Sequence, residues 1–420
     1  MPRSMAPRLH HCIDQPPGLT LASRCVLIRG WAYEAPARAV SGIRLSAGGR
    51  TLTGVVGLPR PDVKVAFPDA PSDNTGFEIR GTLPGGTFTA RIEARLGDLR
   101  WVPLEEQCVK IPRRYRPVWL GGGDPRELIF FQMPAHMAYP PRPVRAEKFP
   151  PVRAGGRRPK LSIVTPSYQQ AAFLEETITS VVEQETAVEY VVQDGGSTDG
   201  SVEIIRCHAP RLHAWASERD AGQADAIVRG FARTSGTPED VMAWINSDDY
   251  YLPGALPFVA DYFARHPAAD VIYGHRIVVD EHSQEIARWF LPRHDPGVLR
   301  LNDFVPQETL FWRRRIWNQL GGLDRAFQFA MDWDLLLRFQ EAGANIVRLP
   351  YFLGCFRVRD GQKTSARMHD IGQREIELLR TRAQGRPVPA AELEIHPRLL
   401  RYLRRSALIA DLWSWGIRVP

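Results

Sequence analysis

The sequence has few cysteines and no long apolar run. Its 420 residues include five Cys, an odd number, scattered along the chain with no Cys-x-x-Cys spacing. That usage argues against a disulfide framework and against a zinc site, and it is typical of a reducing compartment. No stretch reaches the ~18 apolar residues that a spanning helix needs, and the first residues lack the apolar core of a secretion signal. We therefore expect a cytoplasmic protein that is either soluble or peripheral on the inner face of a membrane.

The overall composition excludes a disordered chain and gives no reason to expect a nucleic-acid partner. Hydrophobic residues make up 44% and charged residues 24% of the chain, as in ordinary globular proteins. Lys and Arg number 54 and Asp and Glu number 47, which leaves a net charge of +7. Nucleic-acid-binding proteins concentrate positive charge on one face, whereas this mild excess is spread along the chain. It suits anionic small molecules or an anionic membrane surface.

The chain divides into four regions by sequence pattern. Residues 1–110 form short alternating runs broken by Gly and Pro, which predicts a small all-β, sandwich-like accessory domain. Residues 111–159 are rich in Pro and Arg and are predicted to be a linker. Residues 160–365 alternate apolar β-branched runs with helical periodicity, which predicts an α/β domain with a mostly parallel sheet flanked by helices. Residues 366–420 are predicted to be a helical C-terminal extension.

Two groups of residues outside the α/β region have alternative interpretations. Trp31, Tyr33 and Trp101 are either core residues, which we favour, or a sugar-stacking surface. Residues 397–419 have the pattern of a basic amphipathic helix. Its apolar stripe either packs on the α/β domain, which we favour, or contacts an anionic membrane.

Acidic residues follow two predicted strands where those strands end. Asp194 ends one strand and precedes the loop GGSTDGS. This loop is either an ordinary turn between a strand and a helix or a ligand-binding loop. Asp248 and Asp249 follow another buried strand. Two adjacent carboxylates repel each other unless a cation or hydrogen-bond donors compensate. Mg²⁺ and Mn²⁺ prefer oxygen ligands and commonly bridge a carboxylate to substrate phosphates. We therefore favour a site for a metal ion and a diphosphate over a simple turn before Pro253.

A third acidic residue lies at the start of a predicted helix. On that helix Asp332 shares a face with Leu335, Leu336 and Phe339, so it points inward. Asp334 is instead predicted to form a surface ion pair with the arginine four residues later. Asp332 is therefore either a helix cap or a functional group, and we favour the second. The helix N-terminus would keep it ionised, which suits a general base.

Eight segments follow one another within residues 160 to about 360. They are SIVTPSY, VVQDGGSTDGS, SERDAGQADAIVRGF, WINSDDYYLPGAL, VIYGHRIVVD, QETLFWRR, GGLDRAFQFAMDWDLLLRF and FRVRDGQKTS. In this order and spacing they resemble an inverting glycosyltransferase of family 2 with the GT-A fold. The segments RGWAYE, RPDVKVAFPDAP and NTGFEI are similar to β-sandwich modules attached to bacterial glycosyltransferases.

The resemblance implies roles for individual residues. Those implied to bind the nucleotide-sugar are Thr165, Pro166, Tyr168, Asp194, Arg219, Asp220, Gln223, Asp225, Asn246, Ser247 and Asp248. The implied metal ligands are Asp248 and Asp249, and the implied general base is Asp332. The residues implied to lie beside the acceptor are Gln307, Glu308 and Trp333. Residues 357–364 match a mobile loop near the diphosphate.

Three positions depart from the pattern of the family. Asn246 replaces the first Asp of the DxD motif, Met331 replaces a Glu that often precedes the base, and His275 stands where Asp is frequent. Asn and Met at these positions also resemble family members, so we expect activity. The strictness of the metal dependence stays open.

The resemblance implies an enzyme that transfers a sugar with inversion from a nucleoside-diphosphate sugar, with UDP-sugar favoured. It implies a hexosyltransferase-type reaction on a glycan or lipid-linked acceptor, in the synthesis of cell-surface polysaccharide or glycolipid. It also implies a divalent cation, Mn²⁺ or Mg²⁺. The alternatives are a nucleotide-sugar or glycan binding protein without turnover and a sugar nucleotidyltransferase. A nucleotidyltransferase normally has a Gly-rich basic first loop, whereas this chain has Pro166, Ser167 and Tyr168 there.

Overall fold

The computed structural model describes residues 8–15, 25–35, 38–83, 86–111, 141–145, 147–152, 157–358 and 371–419. These residues belong to two compact units, one ending at residue 111 and the other beginning at residue 141. Most of the linker predicted over residues 111–159 therefore lies outside the described residues. Residues 141–152 belong to the second unit.

The first unit is an antiparallel β structure. Its strands and single short helix are β1 (Arg8–Gln15), β2 (Cys25–Ala35), β3 (Arg38–Ala39), β4 (Gly42–Ala47), β5 (Arg50–Leu58), α1 (Pro61–Ala66), β6 (Gly76–Thr82), β7 (Gly86–Arg95) and β8 (Trp101–Ile111). The strands pair in the order β1-β2-β6-β5-β4-β7-β8, with β3 added beside β2. One apolar core contains side chains from both ends of this order, such as Ile13 and Val109, so the sheet curls around it.

The aromatic residues of the first unit pack inside it. Trp31 and Tyr33 are buried in a small cluster against Phe67, and the Tyr33 hydroxyl donates a 3.0 Å hydrogen bond to Asp69. The favoured core-packing interpretation is therefore correct for Trp31 and Tyr33. The ring of Trp101 is partly exposed and lies 4.2 Å from the guanidinium of Arg44.

The second unit contains the α/β domain. Its strands are β9 (Arg142–Pro143), β10 (Leu161–Ser167), β11 (Val188–Asp194), β12 (Ala214–Ser217), β13 (Val241–Trp244), β14 (Tyr250–Tyr251), β15 (Val271–Val279), β16 (Gln284–Trp289), β17 (Phe311–Arg313) and β18 (Ile346–Arg357). Its helices are α2 (Ala171–Val182), α3 (Ser201–His208), α4 (Gln223–Ala232), α5 (Ala255–Arg265), α6 (Pro296–Leu299), α7 (Arg314–Leu320), α8 (Met331–Glu341), α9 (Gln373–Gln384), α10 (Ala390–Ile395) and α11 (Pro397–Ser414).

The sheet of this unit is mixed, which corrects the prediction of a mostly parallel sheet. Strands β12, β11, β10 and β13 are neighbours in that order and run parallel. Helices α2, α3 and α4 supply the crossovers that parallel neighbours require. Beyond β13 the pairings with β17, β15 and β16 are antiparallel. A short turn joins β15 to β16, and such a connection forces an antiparallel pair.

Strand β10 lies between β11 and β13 in the parallel part of the sheet. Every residue of β10 is buried, as expected for a strand covered on both faces. Helix α4 packs closely on it because Gly230 has no side chain; a Cβ there would collide with Val164.

Phe149 stacks on Phe258 of α5 with ring centroids 5.0 Å apart, and β9 pairs with β16.

The C-terminal helices support the rest of the unit. The carboxylate of Glu375 on α9 accepts hydrogen bonds from three successive backbone N–H groups that precede α8, those of Gln328, Phe329 and Ala330. Arg380 on the same helix donates a 2.7 Å bond to the carbonyl of Leu301. The apolar stripe of α11 is buried, as favoured from the sequence. None of the helices that the structure describes is long and apolar enough to span a bilayer.

Candidate active site

The carboxyl ends of the parallel strands bring four loops to one edge of the sheet. In the strand register Ser167 of β10 lies beside Asp194 of β11, which lies beside Ser217 of β12. Just after β13, the N–H of Ile245 bonds to the carbonyl of Val164, so the 246–249 turn follows next to β10. Ligands of open α/β sheets bind at this edge.

Asp194 shapes the loop that follows it. The side chain is fully buried, and its two oxygens accept four hydrogen bonds. The donors are the N–H groups of Gly196 and Ser197 and the hydroxyls of Ser197 and Ser217, at 2.6–3.0 Å. Its implied contact with the nucleotide stays a prediction, because such a contact would compete with these bonds.

An exposed aromatic ring stands beside this loop. Tyr168 is 62% exposed, and a Cβ at Gly195 would lie 3.3 Å from the Tyr168 ring and 2.8 Å from an Asp220 carboxylate oxygen. The other Asp220 oxygen accepts a bond from the Gly222 N–H at 2.8 Å. Arg219 is exposed on the same loop. A flat, accessible ring at a strand end is suited to stacking on a planar ligand.

Two of the residues implied to contact the nucleotide, Thr165 and Pro166, are buried in this structure, and their contact with it stays a prediction. Thr165 is fully buried, and its hydroxyl is 2.8 Å from the Tyr190 hydroxyl. Pro166 is buried as well. Both residues lie within β10, which is covered on both faces, so the accessible surface begins at Tyr168.

Gly195→Ala is expected to weaken nucleotide binding about tenfold with a stability loss of about 1–3 kcal/mol. The added methyl would displace Tyr168 or the Asp220 loop, since the space at Gly195 is already occupied. Isothermal titration with UDP would measure the affinity, and urea unfolding would measure the stability. Gly97→Ala is the matched control, because a Cβ there meets nothing within 4 Å. Unchanged UDP affinity in Gly195→Ala would contradict this assignment.

The amide of Asn246 organises the turn after β13. Its oxygen accepts a 2.7 Å bond from Gln223 on α4, and its nitrogen donates to Asp249 at 3.4 Å. A carboxylate at this position could not donate to Asp249 and would add a third negative charge beside Asp248. The departure from DxD therefore has a local physical reason.

Asp248 and Asp249 occupy different environments. Asp249 is 1% exposed and accepts a 2.9 Å bond from the Arg357 N–H. Burial raises the pKa of Asp249, as do the negative charges of Asp248 and Glu308, while the Arg357 N–H opposes that rise. Asp248 lies nearer the surface. The oxygens of Asp249 accept hydrogen bonds from Asn246 and the Arg357 N–H, so its expected role as a metal ligand stays a prediction.

The donor set fits a divalent cation shared with a substrate. Among the described residues no three His, Cys, Asp or Glu side chains are grouped to hold a metal ion. The described residues thus offer no cage made of protein alone, whereas Mg²⁺ and Mn²⁺ usually complete their shells with waters and phosphate oxygens. Asp248, with Ser247 beside it, is the residue that fits such a shared ion.

Arg357 holds the 246–249 turn in place. Its guanidinium is buried and donates to the Asp248 carbonyl at 2.8 Å and to the Ser283 hydroxyl at 3.0 Å. It also forms an ion pair with Glu176. The expectation that Arg357 belongs to a mobile loop at the diphosphate is wrong, because these contacts occupy it. Residues 359–364 of that expected loop lie outside the described residues.

The implied acceptor-side residues are buried. The indole of Trp333 is fully buried and donates to the Leu299 carbonyl at 2.8 Å. Its expected contact with the acceptor stays a prediction. Glu308 forms a bidentate ion pair with Arg276 at 2.7 and 2.8 Å. Gln307 donates to the Trp244 carbonyl at 2.8 Å and is also buried. The acceptor-side role of Glu308 and Gln307 stays a prediction.

Asp332 is the accessible acid of α8. It lies in the first turn and is only partly buried, whereas Leu335 and Leu336 on the same helix are fully buried. Next to it is an acid that the sequence analysis did not single out, Asp303. Burial raises the pKa of Asp303 well above its usual range, and the negative charge of Asp332 raises it further, while the Val305 N–H opposes this.

Arg276 interacts with an acid from the turn after β13 and with Asp303. Burial acts against its charge, but Glu308, Asp249 and Asp303 together raise the pKa of Arg276. The same guanidinium therefore interacts with Asp249 in the turn after β13 and with Asp303. These acids come from separate parts of the sequence and lie near one arginine.

Residues 162–321 match glycosyl transferase family 2. This region is a glycosyl transferase family 2 domain. The predictions of a glycosyltransferase domain, of the GT-A fold and of an all-β region before it are confirmed.

Two curated bacterial relatives match about half of this chain. The O-antigen biosynthesis protein RfbC of Myxococcus xanthus is 32% identical over 216 residues, which are 50% of this chain and 16% of that protein. A PGL/p-HBAD biosynthesis glycosyltransferase of Mycobacterium bovis is 28% identical over 195 residues, which are 45% of this chain and 73% of that protein. The chain thus spans a small part of the first relative and most of the second.

Among solved structures, S. aureus TarS 1–349 in complex with UDP-GlcNAc is similar to this chain. The TM-score is 0.44 at 16% identity, with 62% of this chain and 76% of that chain covered.

Several charged residues of the second unit are structural. Asp225 pairs with Arg229 at 2.7 Å and accepts from the Ala221 N–H, so it braces the loop before α4. Asp334 is buried between Arg338 and Arg382, each at 2.7 Å, which corrects the expected surface ion pair.

His275 is a core residue of the family 2 domain. It accepts a 3.0 Å bond from the Leu291 N–H, and burial with nearby arginines lowers its pKa well below the usual range. It therefore supplies no acid at the position where the family often has Asp.

The sequence analysis missed Asp303, Arg276 and Glu176. The signal available for Asp303 was an acid close to the apolar residues Leu301, Phe304 and Val305. Arg276 and Glu176 had no local signal, because their partners lie far away in the sequence.

Proposed function

We propose that this chain transfers a sugar from a nucleoside-diphosphate sugar to a hydroxyl acceptor with inversion at the anomeric carbon. The observation that carries the proposal is the group of acids at the carboxyl edge of the sheet in a family 2 domain. UDP-sugar is the donor that we favour. The names of the curated relatives support an acceptor in surface polysaccharide or glycolipid synthesis.

The donor would lie along the edge of the sheet. Tyr168 would stack on the base, and the exposed Arg219 would approach the phosphates. Asp248 would hold a divalent cation, Mn²⁺ or Mg²⁺, whose charge would stabilise the diphosphate as it leaves. Gln223 and Asn246 would keep the turn in place through their 2.7 Å hydrogen bond.

The acceptor would react on the opposite face of the sugar. The carboxylate of Asp332 would take the proton of the acceptor hydroxyl. At the same time the oxygen of that hydroxyl would form a bond to the anomeric carbon. The bond from that carbon to the diphosphate oxygen breaks, and its electron pair leaves with the diphosphate. Direct displacement of this kind inverts the anomeric centre, through a transition state that resembles an oxocarbenium ion. The N-terminus of α8 favours the ionised form of Asp332.

Asp303→Asn is expected to make the protein more stable than the wild type by an amount that grows as the pH rises. In the folded wild type Asp303 has a raised pKa, so the folded state keeps a proton that the unfolded state has lost. Wild-type stability therefore decreases with rising pH between the usual carboxyl pKa and the raised one, whereas the neutral amide has no such penalty. Urea unfolding over a pH series would measure the difference.

The same comparison in an Asp332→Asn background is the control. One cause of the raised pKa is then absent, so the pH-dependent difference should shrink. Parallel stability curves for wild type and Asp303→Asn at every pH would contradict the assignment.

A donor panel tests the proposed function directly. Thermal unfolding with UDP-, GDP- and other nucleotide-sugars, with and without Mn²⁺, would identify the donor through its stabilising effect, about 2.7 kcal/mol at a hundredfold excess over Kd. Release of nucleoside diphosphate with that donor and cell-envelope glycolipid would then report turnover. Stabilisation without release would favour a binding protein, and release of pyrophosphate from nucleoside triphosphate and sugar phosphate would favour a nucleotidyltransferase.

A further inference from the structure

Helix α11 presents two different faces. The inner face carries Leu399, Tyr402, Ile409 and Ala410, which are buried in the second unit. The Ser406 hydroxyl on this face donates to the carbonyl of Phe290. The inner face alone therefore accounts for the buried apolar stripe of α11.

The outer face combines cations with large apolar side chains. Arg401, Arg404, Arg405, Leu408 and the cap residue Trp415 follow a spacing that places them within an arc of about 120° at 100° per residue. Leu408 is 57% exposed and Trp415 is 74% exposed. Just beyond the helix, Ile417 is 49% exposed. The inner-face packing leaves this row accessible.

The arginines of the outer face have no ion-pair partner among the described residues. Their neighbours differ, because Arg398 pairs with Asp295 and Arg418 pairs with Glu147. Arg401, Arg404 and Arg405 therefore place three uncompensated positive charges in about one turn of helix. The single acid of α11, Asp411, lies at the edge of the arc.

We propose that this outer face docks on an anionic lipid bilayer. Guanidinium groups bind lipid phosphates, while Trp and Leu insert at the boundary between headgroups and acyl chains. A row of cations continuing into an exposed Trp matches that boundary, and each added basic residue near such a surface strengthens attachment. A protein partner would be expected to meet a larger and less charged central patch. The inference is independent of the sugar and of the reaction.

Vesicle sedimentation with the full chain tests the proposal. We expect binding to phosphatidylcholine vesicles that contain a third of phosphatidylglycerol, weaker binding at high salt, and little binding to phosphatidylcholine alone. The triple variant Arg401→Gln, Arg404→Gln, Arg405→Gln should lower the partition coefficient about 100-fold. Trp415→Ser should lower it about tenfold.

Arg374→Gln with Leu378→Ser is the matched control. These residues are also an exposed arginine and an exposed leucine four positions apart, on α9. The control should bind vesicles like the wild type, and unfolding temperatures should show that all variants fold. Equal binding to neutral and anionic vesicles, or equal losses in the control and the outer-face variants, would overturn the proposal. Capture of an acidic protein with no vesicle binding would also overturn it.

Discussion

Asp332→Asn is expected to reduce sugar transfer by about 10³-fold or more, while the affinity for nucleotide-sugar stays within about threefold of the wild type. The amide keeps the size of the side chain but cannot take the proton of the acceptor hydroxyl. Donor binding should persist, because the residues proposed to bind the donor lie on the loops after β10, β11, β12 and β13. Rates of nucleoside diphosphate release and titration of the donor would measure the two quantities separately.

Asp334→Asn is the matched control for this prediction. Asp334 lies two residues further on the same helix and is buried against Arg338 and Arg382. Its replacement should lower stability by about 3 kcal/mol yet leave transfer largely intact at temperatures where the variant is folded. Transfer at the wild-type rate by Asp332→Asn would remove Asp332 from the proposed mechanism.

Arg357→Met is expected to lower the free energy of unfolding by about 3 kcal/mol and to weaken donor binding strongly. The methionine fills much of the volume but removes the guanidinium hydrogen bonds to the carbonyls of Asp248 and Asp280. It also removes the ion pair with Glu176. The turn that carries Asp248 should then lose its position. Urea unfolding and donor titration in Mn²⁺ would measure both effects.

Arg313→Met is the matched control. It distinguishes a general loss of stability from a loss of the position of the turn that carries Asp248. Arg313 is also buried, and it donates to the carbonyls of Ala269 and Phe263 at 2.8 and 2.9 Å. It lies at the other end of β13 from the acidic turn, since it pairs with Val241. Both variants should be destabilised, but only Arg357→Met should lose donor affinity. Equal donor affinities in the two variants would contradict the role given to Arg357.

The sequence predicted the positions of the site better than the environments of its residues. Asp194 and Asp248 follow continuous apolar runs, and such runs identify buried strands and the edge where they end. Strand ends are local properties, so one segment of sequence suffices to predict them. Helical spacing was a weaker guide: it predicted Asp332 inward and Asp334 at the surface, whereas Asp332 is only partly buried and Asp334 is 1% exposed.

The burial of single side chains could not be predicted in the same way. Thr165 and Tyr168 are three residues apart, yet one is fully buried and the other exposed, because β10 ends between them. Asp334 is spaced like a surface residue, but Arg382 covers it from a helix almost fifty residues away. Arg357 looked like a loop residue, and only the fold shows that it is held by Asp248 and Ser283. Partners distant in sequence decide the cases of Asp334 and Arg357.

The central claim is that the cation position at Asp248 and the base Asp332 belong to one cleft. Tryptophan labelled with ¹⁹F tests it, because bound Mn²⁺ broadens nearby resonances and its effect falls steeply with distance. Trp244 lies just before the acidic turn and Trp333 directly follows Asp332. With UDP and Mn²⁺ bound, as verified by loss of the free-ion EPR signal, the account predicts that both resonances broaden, and that Mg²⁺ broadens neither. A sharp Trp333 resonance beside a broadened Trp244 resonance would contradict the claim.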